Sequence, residues 1–210
     1  MYKLHYFTEQ DEAEVMKFMC QHPFITLCGC DGNGRPVATQ VPVLISEREG
    51  RLILRGHVMR NTDHHKAFGQ QPNVLALFTG PHTYVSASWY SNPRQGSTWN
   101  YLTVHARGTL KFLDQDALLE ILRDTTAYFE NNDASPASFD QLPAEYVNRL
   151  IKAIIAFEIT IHELDNVFKL SQNRDQESYR SIIKELSQQD AQAQQIAEEM
   201  RRREKKLFGN

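Results

Sequence analysis

The chain is poor in the features that would commit it to a specialised class. It has three cysteines in 210 residues, Cys20, Cys28 and Cys30. An odd number without regular spacing excludes a disulfide framework and fits reduced thiols. Cys28-Gly29-Cys30 would place two thiols on one face of a strand. No Cys or His pair follows at zinc-finger spacing, so these cysteines read as small hydrophobes and no metal site is expected. No run approaches the roughly 18–20 apolar residues of a membrane span. Met1-Tyr2-Lys3-Leu4-His5 lacks the apolar core of a signal peptide, and the expected location is the cytosol. Positive charge is not in excess: 23 Lys and Arg face 26 Asp and Glu, a net charge of -3. That balance argues against a general polyanion binder, though it leaves room for a local basic patch. Gly-x-Ser-x-Gly, Walker and dinucleotide glycine motifs are absent, and the eight histidines are scattered.

What the chain does have is an unusual aromatic stretch. Gly80-Pro81-His82-Thr83-Tyr84-Val85-Ser86-Ala87-Ser88-Trp89-Tyr90 is echoed by Ser97-Thr98-Trp99-Asn100-Tyr101-Leu102-Thr103-Val104-His105. These segments hold both tryptophans, three tyrosines and two histidines. Aromatic residues with polar tips need partners when buried, so the mixture is poor core material. It suits a pocket for a flat ligand with polar edges. Tyr84, Ser86 and Ser88 would share one strand face, with Val85 and Ala87 on the other.

Local patterns predict the order of elements. Thr8 can cap a helix, with Asp11 as a weak capping-box partner and Val15, Phe18 and Met19 as the apolar stripe. Phe24 to Cys30 reads as a strand, Asp31-Gly32-Asn33-Gly34 as a turn, and Val37 to Ile45 as a returning strand in which Pro42 marks an edge or bulge. After Glu49-Gly50 comes Arg51 to His57, then a loop and short helix over Met59 to Gln70. Strands are expected at Asn73 to Thr79, Tyr84 to Ser88 and Tyr101 to Phe112. Asp114 can cap a helix to Glu130, with Leu118, Ile121, Leu122 and Phe129 on one side. A loop over Asn131 to Ser138 leads to a helix near Ala144 to Lys152. Strands over Ile154 to Ile161 and Val167 to Leu170, separated by a turn at Asp165-Asn166, complete the count. From Asp175, Tyr179, Ile182, Leu186, Ala193, Ile196, Met200 and Leu207 form one long amphipathic helix, which packs on its own barrel or on a partner. Arg201-Arg202-Arg203-Glu204-Lys205-Lys206 closes it, as a complement to the helix dipole or as a nucleic-acid contact. The expected fold is mainly β with added helices: residues 1–174 as a β-barrel and 175–210 as the C-terminal helix.

The turn after the fourth strand is a candidate anion site. His57, Arg60, Asn61, Thr62, His64, His65 and Lys66 crowd the entry to a short helix. A helix N-terminus offers free amide hydrogens, and Arg60 a planar fork of donors. Left to itself, the same cluster also reads as a solvated polar loop.

Together with Lys169-Leu170-Ser171-Gln172-Asn173-Arg174, the aromatic stretch resembles the signature of the PaiB-type FMN-binding negative transcriptional regulators. That family is similar to the flavin-binding split β-barrels, and the resemblance spans roughly residues 1–185. It implies FMN as cofactor and a homodimer with the flavin at the subunit interface. It implies that Arg60, Asn61 and Lys66 serve the phosphate, with His57 and Thr62 as further cofactor-binding candidates beside them. Ser86 and Ser88 would meet ribityl hydroxyls or phosphate, and Tyr84 would belong to the same wall. Trp89 and Trp99 would cover the ring or anchor a core or interface. Thr98 and Asn100 would face the pyrimidine edge. Lys169, Gln172 and Asn173 would complete the pocket, with Lys169 or Arg174 near the flavin carbonyl, or form a plain surface turn.

The chain departs from the family twice. Where the family reads His-x-Ala-x-Asn-Pro, this chain has His57-Val58-Met59-Arg60-Asn61-Thr62, and Gln40 stands where a histidine is usual. Gln40 cannot shuttle protons as histidine does. The function implied is flavin- or redox-linked negative regulation, with weak support for direct DNA contact. A flavin-dependent oxidoreductase is the alternative. A haem-binding barrel with His57, His82 or His105 as axial ligand is the remaining reading.

Overall fold

The computed structural model describes residues 4–132 and 135–209. Residues 1–3, part of the segment read for a signal peptide, and residues 133 and 134 of the expected Asn131–Ser138 loop lie outside it. The described residues form six α-helices and seven strands. The chain divides into two compact units. The larger holds residues 20–78 and 105–164; the smaller holds residues up to 19, 79–104 and 165 onward.

The larger unit is a curled antiparallel sheet. Strands β1 (Phe24–Cys30), β2 (Pro36–Pro42), β3 (Leu44–Arg48) and β4 (Arg51–Met59) lie wholly within it. Strands β5 (Asn73–Val85), β6 (Thr98–Phe112) and β7 (Ile154–Lys169) contribute part of their length. The order is β2-β1-β5-β6-β7-β4-β3. The expected single strand from Val37 to Ile45 is therefore two strands on opposite edges of the sheet. Proline cannot donate to a ladder, and pairing with β1 ends at Pro42. Val43 alone separates the two edges, so the sheet must curl until they meet. The Val43 N–H donates to Pro23 O at 2.9 Å at that seam. Gly56 makes room there, since a Cβ would lie 2.9 Å from Pro42 O.

The turn at 31–34 forms as its residues require. Asp31 Oδ1 accepts from the N–H groups of Asn33 and Arg35, and Gly34 takes φ +79°. Helix α3 (Gln115–Glu130) is capped by Asp114, which accepts from Ala117 N–H at 3.0 Å. Its Leu118, Ile121 and Leu122 pack with Ile151, Ile154 and Ala156 around helix α4 (Ala144–Ala153). Phe129 lies outside that stripe and is half exposed.

The smaller unit gathers the ends of β5, β6 and β7 with helix α1 (Glu12–Gln21, to Met19), α5 (Gln176–Leu186) and α6 (Ala191–Phe208). Four expectations change here. The first helix starts at Glu12, because Asp11 Oδ1, not Thr8, accepts from the first turn at Ala13 N–H. The expected strand over Tyr84 to Ser88 ends at Val85, and Ala87–Trp89 form a 3-10 turn capped by Ser86. No turn occurs at Asp165-Asn166, where β7 runs through. Asn166 instead exchanges hydrogen bonds with the backbone of Glu9, at 2.8 and 3.0 Å. The long C-terminal helix is two helices. Asp190 caps the second by accepting from Ala193 N–H, and the pair folds into a hairpin. Tyr179, Ile182, Leu186, Ala193, Ile196 and Met200 are fully buried, as their spacing implied, while Leu207 is exposed. The Tyr179 hydroxyl donates to Met200 O at 2.9 Å and its ring meets Phe208 edge-on.

Candidate functional site

The cationic corner lies in the larger unit, where β4 hands over to helix α2 (Asp63–Gln70). Arg60 is fixed by two bonds: its N–H donates to Ala153 O and its Nε to Ile154 O, each at 2.8 Å. That leaves the far end of the guanidinium fork for other acceptors. Asn61 sits at φ +63°, a left-handed conformation that asparagine tolerates better than most residues. Thr62 caps the helix, accepting from His65 N–H at 3.3 Å while its hydroxyl donates to Met59 O at 3.0 Å. Its φ of -74° is close to what a proline ring would impose. The departure from the family's proline thus keeps the backbone shape and adds a cap.

The corner carries the cations Arg60 and Lys66 beside the carboxylate of Asp63, which accepts from His64 N–H at 2.7 Å and pairs with the His64 ring at 3.2 Å. Burial depresses the His65 imidazole, and the charges of Arg60, His64 and Lys66 depress it further. Its Nδ1 accepts from Asn61 N–H at 3.1 Å, as a neutral ring must, and it forms an edge-on pair with Phe112. Burial also holds His57 below the ordinary histidine value. His57 is therefore neutral at pH 7, and the charge available to an anion comes from Arg60 and the exposed Lys66.

The aromatic wall lies in the smaller unit. Strand alternation places Trp99, Tyr101 and Thr103 on the open face of β6, and Asn100, Leu102 and Val104 inward. Trp99 is 53% exposed and Tyr84 47%, with ring centroids 5.9 Å apart in an edge-on pair. The His82 ring centroid lies 6.2 Å from that of Trp99, with the rings tilted. A shallow cavity of about 380 Å³ opens here, lined by Thr79, Gly80, His82, Trp99, Tyr101, Leu102 and Thr103.

Several expected site residues are committed within the protein. Asn100 is fully buried. Its Oδ1 accepts from Ser171 Oγ at 3.0 Å and its amide nitrogen approaches Met200 Sδ at 3.5 Å. Ser86 and Ser88 share no strand face, since the 3-10 turn pairs their hydroxyls at 2.8 Å. Lys169 donates to Thr98 Oγ1 and, at 2.9 Å, to Trp99 O. Burial lowers the Lys169 pKa, and Arg174 lowers it further. Gln172 folds back on its own turn, accepting from Leu170 N–H at 2.7 Å and donating to Phe168 O. Trp89 is half-buried and Asn173 exposed. Ser171 holds φ +61° while 2% exposed, a strained conformation fixed by its bond to Asn100. Sequence reasoning missed this lock. The signal was a buried-pattern Asn in β6 and a Ser in a polar turn, which only tertiary contact joins. Arg174 covers the Tyr90 ring at 4.2 Å and bonds Gln95.

Of the histidines considered as haem ligands, His82 is exposed, and His57 and His105 are half-buried. Gln40 is exposed on β2, opposite Thr26. Among the described residues no three potential metal ligands come together, and no helix is long and apolar enough to cross a membrane. Each region by itself suits part of FMN in kind: Arg60 and Lys66 suit a phosphate dianion, and the open aromatic surface suits a tricyclic ring.

Known proteins resemble this chain at two levels. The Bacillus subtilis "Protease synthase and sporulation protein PAI 2" is 31% identical over 207 residues, covering 98% of this chain and 99% of that protein. In structure, the flavocytochrome Anf3 from Azotobacter vinelandii matches with a TM-score of 0.60 at 19% identity, over 86% of this chain and 78% of that one. The FAD and heme binding protein from Mycobacterium smegmatis matches at 0.57 and 18%, over 77% and 73%. Both confirm the split-barrel fold. Residues 1–163 match the family described as "Putative FMN-binding domain", and the chain belongs to that family of PaiB-like, FMN-binding split-barrel proteins.

Proposed function

We propose that this protein is a cytoplasmic, homodimeric flavin-binding regulator that uses bound FMN to report a redox or flavin signal. The observation that carries this reading is the placing of Arg60 and Lys66 at the N-terminus of α2, where burial first and then their charges hold His65 below the ordinary histidine value. FMN, when bound, supplies one- and two-electron redox chemistry in its ring. Arg60 would hold the phosphate with the part of its fork not used on Ile154 O, and Lys66 would add charge. Thr62 caps the helix entry and holds its backbone shape, and neutral His57 would add a hydrogen-bonding group without adding charge. Trp99 and Tyr84 offer their exposed faces to the flavin ring or to the partner subunit. Lys169 fixes the Trp99 backbone through Trp99 O, and so sets where that ring stands.

The regulatory part of the reading draws on the PAI 2 relative and on the ion pairs that hold two arginines of the C-terminal basic run. Arg202 pairs with Glu14 and Glu199, and Arg203 with Glu9 and Glu199. Side chains held this way have less to offer a DNA backbone, so regulation through the flavin is favoured over direct repression. The absorbance spectrum of freshly purified protein tests this. Flavin bands released as FMN on denaturation are expected. A colourless protein that also fails to take up added FMN would overturn the reading. Steady NADH oxidation by the yellow protein would make it an oxidoreductase instead.

A further inference from the structure

The α5–α6 hairpin contains a second cationic cleft that the flavin reading does not use. Arg201 and Lys205 are four residues apart on α6 and so share one helical face, while Arg202 and Arg203 turn toward Glu14 and Glu9. Arg180 of α5 faces the same cleft, together with Gln176, Glu204 and Phe208. Its volume is about 280 Å³. The lining carries three cations against one carboxylate; Glu204 is held by Arg180 at 2.5 Å, and Arg201 donates through one Nη to Ser187 Oγ, which leaves the rest of its fork and Lys205 open.

A second observation points to a missing acceptor. The Gln176 side-chain amide nitrogen is buried and has no hydrogen-bond partner. A buried donor left unmade costs about 1–3 kcal/mol, so such groups are normally satisfied by a partner. In a cleft with a surplus of positive charge, the acceptor that answers it is an anion. Two guanidinium forks and an ammonium favour a dianion with several oxygens over a single carboxylate. Phe208, whose ring packs on Tyr179, closes one side with an apolar wall.

We infer that the cleft between α5 and α6 is a binding site for a small phosphate-bearing molecule, held by Arg180, Arg201, Lys205 and the Gln176 amide. Phosphate oxygens accept from the forks and from Gln176, while Glu204 keeps Arg180 in place. Occupancy ties the two helices together across their open end.

Calorimetric titration of the flavin-loaded, full-length protein at constant ionic strength tests the site, with inorganic phosphate and glycerol phosphate as separate probes. Saturable binding is expected with Kd near or below about 1 mM. Tighter binding of glycerol phosphate would identify an organic phosphate as the ligand, and tighter binding of inorganic phosphate the free ion. Lys205→Gln and Gln176→Leu should each weaken binding about tenfold, a loss of about 1.4 kcal/mol, without changing flavin content. Arg60→Ala should leave phosphate binding intact. The inference is overturned if neither probe binds, if Lys205→Gln and Gln176→Leu both bind as wild type, or if Arg60→Ala alone abolishes binding. Binding of duplex DNA with a steep salt dependence and no binding of either probe would also overturn it.

Discussion

The cationic corner and the aromatic wall differ in how they are assembled. Every residue of the corner comes from ten consecutive positions, 57–66. Its polar groups serve the local backbone only in part: Arg60 uses Nε on Ile154 O, and Lys66 stays exposed. The wall draws on three strand ends and the turn after β7. Most of its polar groups are used up in joining those pieces, as in Asn100 with Ser171 and Lys169 with Thr98 and Trp99 O. What the wall leaves open is aromatic surface. The corner is thus built to hold charge, and the wall to present shape. Polar residues in the wall should affect stability more than ligand binding, and those in the corner the reverse.

Arg60→Ala should give the largest effect. Losing a charge-assisted hydrogen bond costs about 1.5–3 kcal/mol, or roughly one to two orders of magnitude in FMN affinity, measurable by fluorescence titration. Asn100→Ala should cost about 1–3 kcal/mol of stability by leaving the buried Ser171 hydroxyl without its acceptor. Denaturant unfolding with parallel FMN titration separates the cases. A fall in affinity at unchanged stability would show that Asn100 meets the ligand. Thr62→Ala should cost about 1 kcal/mol through loss of the α2 cap, with a milder loss of FMN retention.

The smallest effect concerns pH. Burial holds His57 and His65 below the ordinary histidine value, so the unfolded chain binds more protons than the folded one as pH falls. Stability from these groups is complete above about 6.5, the unfolded value, and declines as pH falls through their folded values. His57→Gln should flatten that decline in urea titrations from pH 7 to 5. An unchanged slope would remove His57 from the account.

The contrast between corner and wall also explains what the sequence reveals. Elements set by local chemistry are legible: β1, the Asp31–Gly34 turn, the Asp114 cap, α4 and the Thr62 cap all depend on residues within a few positions of one another. Elements set by distant partners are not. Asp165-Asn166 looks like a turn until Asn166 is seen bonding the Glu9 backbone. The tail reads as one helix because its apolar spacing continues across residues 187–190, which contain neither Gly nor Pro. Asp190 is the available signal of a second helix start, since its cap to Ala193 needs only local residues. Ser86 and Ser88 alternate as a strand would, but their mutual bond favours a turn. Glu9 had no signature as one end of a buried ion pair. Burial alone would raise its carboxyl, yet hydrogen bonds from Arg203 and the Asp11 N–H, with the charges of Arg203 and Lys206, hold it below the usual range.

The most direct test compares FMN with riboflavin, which differ only in the phosphate, by titrating apo-protein and its Arg60→Ala variant. Wild type should bind FMN at least tenfold more tightly than riboflavin, and Arg60→Ala should erase most of that preference while riboflavin binding stays nearly constant. Equal affinities in wild type, or a preference that survives in Arg60→Ala, would contradict the assignment of the corner to the flavin phosphate.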